Sequence, residues 1–182
     1  QFPSFDIIVQ GMGGIMTTTG TGDGQPMRPG ASLGDIDAGL FATIGILAAL
    51  QSRTVTGEGQ MVDISMLDCQ IAVQENAFSR YLMANEEPVA TGARHAMTTP
   101  FQAFKTKDGY VTVAIVGGVK DQWPLFCSAI NRMDLADDPR FATSYLRSVH
   151  YEELNGGMSP PFLEKTTDEW IAISIIRKNK HF

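Results

Sequence analysis

Cysteine is scarce in this chain. Only Cys69 and Cys127 occur, far apart and without the paired spacing of a zinc site, so both are expected as buried free thiols in a reducing compartment. Histidine is almost as rare: His150 and His181 have no acidic or cysteine neighbours at ligand spacing, and no metal site is expected. An excess of basic charge is also missing. The 14 Lys and Arg against 20 Asp and Glu leave a net charge of -6, which argues against a nucleic-acid partner. An anionic ligand stays open, because a local basic patch is enough to hold one. The opening Gln1-Phe-Pro-Ser lacks the basic and apolar regions of a signal peptide. The longest apolar run, Leu40 to Leu50, falls short of the about 20 residues that a bilayer span requires. A cytoplasmic protein with no membrane partner is therefore expected. The Gly-rich stretch Thr17 to Pro26 matches neither Gly-x-x-x-x-Gly-Lys-Ser/Thr nor Gly-x-Gly-x-x-Gly, so it reads as a surface loop rather than a phosphate cradle.

What is present suits a folded body. Of 182 residues 43% are apolar and 19% charged, enough for a core and for one domain or part of a larger one. Phe5 to Gln10 reads as a buried strand or the start of a helix. From Asp35 or Asp37 to about Arg53, Leu40, Ile44, Leu47 and Ala48 recur at helix spacing with Ala and Gly between them. A helix apolar nearly all round is buried in a larger body or packed on a partner. Gln60 to Ser65 alternates as a short strand would, and a second helix is expected from Met66 to Leu82. After an aperiodic connection from Ala84 to Pro100, two alternating segments flank Lys107-Asp-Gly109, a strong hairpin signal. Helices are expected at Asp121 to Ile130, with Trp123, Phe126 and Ile130 inward, near Val149 to Leu154, and at Thr167 to Ile176. Thr166 or Thr167 can cap the last, with Glu169 in its first turn. This order implies an α/β or α+β fold: residues 1–84 as part of a large domain, 85–100 as a linker, 101–171 as a small domain and 172–182 as an atypical tail. The absence of an initial Met and the apolar-then-basic tail suggest a fragment.

One segment concentrates the chemistry. Arg28-Pro-Gly-Ala-Ser-Leu-Gly34-Asp35 delivers a carboxylate to the mouth of the apolar helix. Asp35 there either caps the helix, worth about 0.5–2 kcal/mol, or acts as a nucleophile kept ionised by the helix dipole. Asp37 is its competitor for either task. Gly34 and Ala38 would let a bulky substrate approach. Gly117 and Gly118 could bring backbone N–H groups to an oxyanion, or form an ordinary turn. Arg28, Arg94 and Arg53 are candidates for phosphate or carboxylate contact. His95 is a lone loop histidine, of the kind usually solvated.

Several motifs in order resemble the family III CoA-transferases: Phe5-Asp6, Val9-Gln10, Gly14-Ile-Met16, Arg28-Pro-Gly30, Gly34-Asp35, Thr56-Gly-Glu-Gly-Gln60, Lys107-Asp-Gly-Tyr110 and Asp137-Asp-Pro-Arg-Phe141. The resemblance implies an α/β fragment of that fold, namely part of its large Rossmann-like domain plus a small α+β domain with a β-hairpin. It implies transfer of CoA between an acyl-CoA and a small carboxylic acid through an aspartyl anhydride and an aspartyl-CoA thioester. Asp35 would be the nucleophile, with Gly34, Asp6, Gly117 and Gly118 supporting; Arg28 and Arg94, singled out above for their guanidinium chemistry, are the candidates for binding CoA. Coenzyme A would be a substrate, with no permanent cofactor, and the full-length protein would be an interlocked homodimer. Racemases of the same superfamily carry a His directly before the Asp of the first motif, and Phe5 stands there instead, which favours the transferase. A non-catalytic truncated module is the other alternative. The resemblance also implies that most CoA contacts lie in a part absent here, so the chain alone is expected to transfer little or no CoA.

Overall fold

The computed structural model describes residues 4–116 and 122–178, with side chains as far as residue 173. The chain divides into two compact units, residues 1–92 and 93–182.

The first unit is helical. Helix α1 (Asp6–Met12) and a single turn, α2 (Ile15–Thr18), precede a loop and the long α3 (Leu33–Thr56). Helices α4 (Met66–Ala72) and α5 (Glu75–Ala84) follow. The ambiguous Phe5–Gln10 segment is thus helical. Helix α3 begins and ends outside its expected limits and stops at Gly57, whose φ of 76° lies in the left-handed region and whose N–H returns to the Arg53 carbonyl. At 24 residues α3 is long and apolar enough, by length and composition alone, to cross a bilayer. The Leu40–Leu50 run is thus part of a longer helix, whose first turns add Leu33 and Ile36.

No strand forms at Gln60 to Ser65. The alternation is present in space: Val62 and Ile64 are half-buried while Met61, Asp63 and Ser65 are exposed. A Cβ on Gly45 of α3 would stand 2.7 Å from Val62 Cγ1, so that glycine lets the segment lie close. However, no other extended segment among the described residues pairs with it, and a strand needs a ladder. The expected Met66–Leu82 helix is also broken. At the break, Gln74 turns its buried amide inward and donates to the carbonyls of Gly13 and Gln70, both at 2.9 Å.

The two units differ in their interiors. In the first, the buried positions are mostly small or polar, with Val9, Gln10, Gly34, Asp37, Cys69, Gln70 and Gln74 among them. Leu40, Ile44, Leu47 and Leu50 of α3 stay exposed.

The second unit has an aromatic core. Strands β1 (Phe101–Lys105) and β2 (Tyr110–Ala114) form the expected antiparallel hairpin, with Phe104 opposite Val111. Helices α6 (Trp123–Ala129), α7 (Met133–Asp137), α8 (Ser144–Val149), α9 (Tyr151–Met158) and α10 (Thr167–Lys178) follow, with one-turn 3-10 segments at Pro139–Phe141 and Pro160–Glu164. Phe104 stacks on Phe162 with ring centroids 4.2 Å apart, and Trp170 donates its indole N–H to the Phe162 carbonyl at 3.0 Å. Trp123, Phe126 and Ile130 face inward as expected. Thr166 and Glu169 form a reciprocal capping box at the start of α10.

Candidate active site

The site is built where the first turn of α1 meets the first turn of α3. Asp6 opens α1 and Gln10 lies one turn later on the same face. The Gln10 amide donates to both Asp6 carboxylate oxygens at 2.9 Å and to the Ala31 carbonyl at 3.2 Å. Arg28 donates from Nη2 to Asp6 Oδ2 at 2.9 Å and to Ser32 Oγ at 3.3 Å. The Gly34 N–H donates to Asp6 Oδ1 at 3.0 Å. The loop that delivers Asp35 is therefore sewn to α1 through one carboxylate.

That carboxylate settles which residue caps α3. Ser32 occupies the N-cap position and its side chain makes no capping bond. Neither Asp35 nor Asp37 is the cap; Asp6 takes the Gly34 N–H from another helix. Burial would raise the Asp6 pKa, yet the hydrogen bonds from Arg28, Gln10 and Gly34, together with the Arg28 charge, outweigh it and hold the carboxyl below the ordinary 3.8. Gly34 is buried, and a Cβ there would meet Asp6 Oδ1 at 3.3 Å and Val9 Cβ at 3.5 Å.

The two candidate nucleophiles differ in setting. Asp35 is exposed in the first turn of α3. Asp37 is buried, burial pushes its carboxyl above 3.8, and its Oδ2 meets no hydrogen-bond partner among the described residues. Only the first can meet a substrate in solution without rearrangement.

The structure brings Asp6, Arg28, Gly34 and Asp35 together. Arg94 belongs to the second unit, where its guanidinium lies 4.2 Å over the Tyr151 ring. Arg53 is exposed in the last turn of α3. His95 accepts the Met97 and Thr98 N–H groups on Nδ1, both at 3.1 Å, which ties down the loop before β1. Gly117, Gly118 and His181 lie outside the described residues. Among the described residues, no three His, Cys, Asp or Glu side chains gather as a metal site. Gln10 escaped sequence reasoning as a site residue. An Asp-to-Gln pair four apart is a helix signal, but it carries weight only once Phe5–Gln10 is known to be helical.

Comparison with known proteins places the chain in a family. The sequence pattern of CoA-transferase family III matches residues 1–177. The chain is 36% identical over 169 residues to a succinyl-CoA:glutarate CoA-transferase of Mus musculus, covering 93% of this chain and 38% of that protein. It is 38% identical over 136 residues to a succinyl-CoA:mesaconate CoA-transferase of Haloarcula hispanica, covering 75% of this chain and 34% of that one. The crystal structure of a CAIB/BAIF family protein from Brucella suis superposes with a TM-score of 0.77 at 31% identity, over 97% of this chain and 48% of that chain. The chain thus spans less than half the length of these relatives. The fold is the corresponding portion of theirs, and the chain belongs to CoA-transferase family III.

Proposed function

We propose that the whole protein carrying this chain moves CoA between an acyl-CoA and a carboxylic acid, with Asp35 as the nucleophile. The observation that carries this reading is an exposed carboxylate in the first turn of α3 that has been relieved of the capping task. The Asp35 oxygen attacks the thioester carbon, the C–S bond breaks, and a mixed anhydride and CoA thiolate result. The thiolate attacks the aspartyl carbonyl, releasing the donor acid and leaving an aspartyl-CoA thioester. The acceptor carboxylate opens that thioester to a second anhydride, and the thiolate then takes the new acyl group and restores Asp35. No water, oxidant or metal enters the balance.

The names of the relatives include succinate, glutarate and mesaconate, so a dicarboxylic acid is the acceptor class to test first. Arg28, seven residues before Asp35 in the sequence, is the candidate in the first unit for contact with the CoA phosphates or the acid, and Arg94 is the candidate in the second. A homodimer, supported by the apolar face that α3 leaves uncovered, completes the proposal, with the cytoplasm as the proposed location. The 182-residue chain alone is expected to transfer little CoA. A racemase would need a base at position 5, where Phe5 has none.

The test is mass spectrometry of the whole protein after incubation with an acyl-CoA. A CoA adduct on Asp35 that disappears in Asp35→Ala is expected. An adduct that survives the substitution overturns the assignment.

A further inference from the structure

We propose that Asp6 is a positioning residue for Asp35, acting by holding the first turn of α3 to α1 through the Gly34 N–H. The inference rests on the nucleophile reading above and adds a role for a residue that never touches the substrate.

The first N–H groups of a helix have no partner within it, and a carboxylate nearby is drawn back onto them. Counting from Ser32 at the N-cap, Asp35 is the third helical residue, the position from which an acidic side chain reaches back in a capping box. A nucleophile engaged in that way points at its own backbone and has its lone pairs occupied. The N–H taken from that position is the one of Ser32, whereas Asp6 Oδ1 accepts the Gly34 N–H and so fixes the turn that carries Asp35 without using Asp35 itself. The other side chains that could compete are also engaged, since Arg28 is shared between Asp6 Oδ2 and Ser32 Oγ. Gln10 in turn holds Asp6 by both oxygens and reaches the Ala31 carbonyl. Among the described residues, the Asp35 carboxylate is left without a hydrogen bond to immobilise it.

The arrangement separates two jobs usually done by one carboxylate. Asp6, largely buried with a side-chain exposure of 11%, holds the helix start. Asp35, exposed, stays available.

The test uses the whole protein and compares single-turnover adduct formation at saturating acyl-CoA with acyl-CoA affinity and thermal midpoint. Asp6→Ala is expected to slow adduct formation at least tenfold while affinity changes less than threefold. Asp6→Asn keeps an oxygen for the Gly34 N–H but sets an NH2 group against the Arg28 and Gln10 donors, and is expected to recover part of the rate lost in Asp6→Ala. Gly34→Ala puts a Cβ 3.3 Å from Asp6 Oδ1, crowding that carboxylate without altering its charge, and is expected to slow adduct formation by less than Asp6→Ala does. It serves as the second variant if Asp6→Ala does not fold. Folded Asp6→Ala or Gly34→Ala protein with an unchanged adduct rate, or a failure of Asp6→Asn to recover, overturns the positioning role while leaving Asp35 as nucleophile. An adduct that persists in Asp35→Ala overturns both readings.

Discussion

The hydroxyls of Thr106 and Thr167 lie 2.8 Å apart across 61 residues of sequence, joining the hairpin turn to the start of α10. The same Thr106 oxygen accepts the Gly109 N–H at 3.0 Å, and Asp108 accepts the Thr167 N–H at 2.8 Å. The second unit is therefore closed by a polar knot at the edge of an aromatic core.

Thr106 is almost wholly buried. Thr106→Val keeps the shape and leaves the Gly109 N–H without its acceptor, at an expected loss of about 1–3 kcal/mol. Chemical denaturation with and without the substitution measures this directly. Loss of the Asp108 carboxylate acts on the same knot. The Thr167 N–H is the main contact holding that carboxyl below 3.8, against a smaller opposing effect of burial. The unfolded chain therefore takes up the proton first. The contribution of Asp108 is complete above pH about 5 and is lost as the pH falls through its lowered folded value. An Asp108→Asn variant is expected to flatten the acid limb of the stability curve.

The capping assignment separates Asp6 from Asp35 in stability as well as in chemistry. Asp6→Ala is expected to cost about 1–2 kcal/mol through the lost cap and ion pair. Asp35→Ala is expected to change stability by about 0.5 kcal/mol or less, as for an ordinary surface position. Equal losses in paired denaturant titrations would return Asp35 to a structural role.

Much of the second unit was legible in the sequence, because its signals are local. Lys107-Asp-Gly109 announces a turn, Trp123, Phe126 and Ile130 mark one helix face, and Thr166 with Glu169 writes a capping box within one turn. The first unit was harder to read. Gln60 to Ser65 has the period of a strand but no ladder beside it. Gln74 breaks a helix for the sake of the Gly13 carbonyl, 61 residues earlier in the chain. At the candidate site Asp35 could be singled out by position, yet the cap on its helix comes from 28 residues upstream. Spacing within the loop could not reveal that donor and acceptor.

Cys127 is fully buried, and burial pushes its thiol up to about 12. At pH 8 a soluble thiol reagent is expected to leave Cys127 unmodified in the folded protein and to label it promptly in denaturant. Labelling at the rate of a free thiol in native conditions would contradict the packing of α6.

The outward face of α3 has a measurable signature in the isolated 182-residue chain. Leu40, Ile44 and Leu47 are each about 60% exposed, so this chain is expected to bind a hydrophobic dye such as ANS. Replacing all three with Gln should reduce the dye signal severalfold and leave the helical circular dichroism nearly unchanged. A collapse of helicity would mean that these side chains support the unit from within.

The bond from Gly34 to Asp6 also gives the first turn of α3 a clock. Amide hydrogens at a helix start ordinarily trade with solvent deuterium in the fraying of a single turn. This one is buried and held by a side chain from another helix, so its exchange requires α1 to part from α3. Its protection factor reads the free energy of that local opening, and hence how long the loop beside Asp35 keeps its shape between openings.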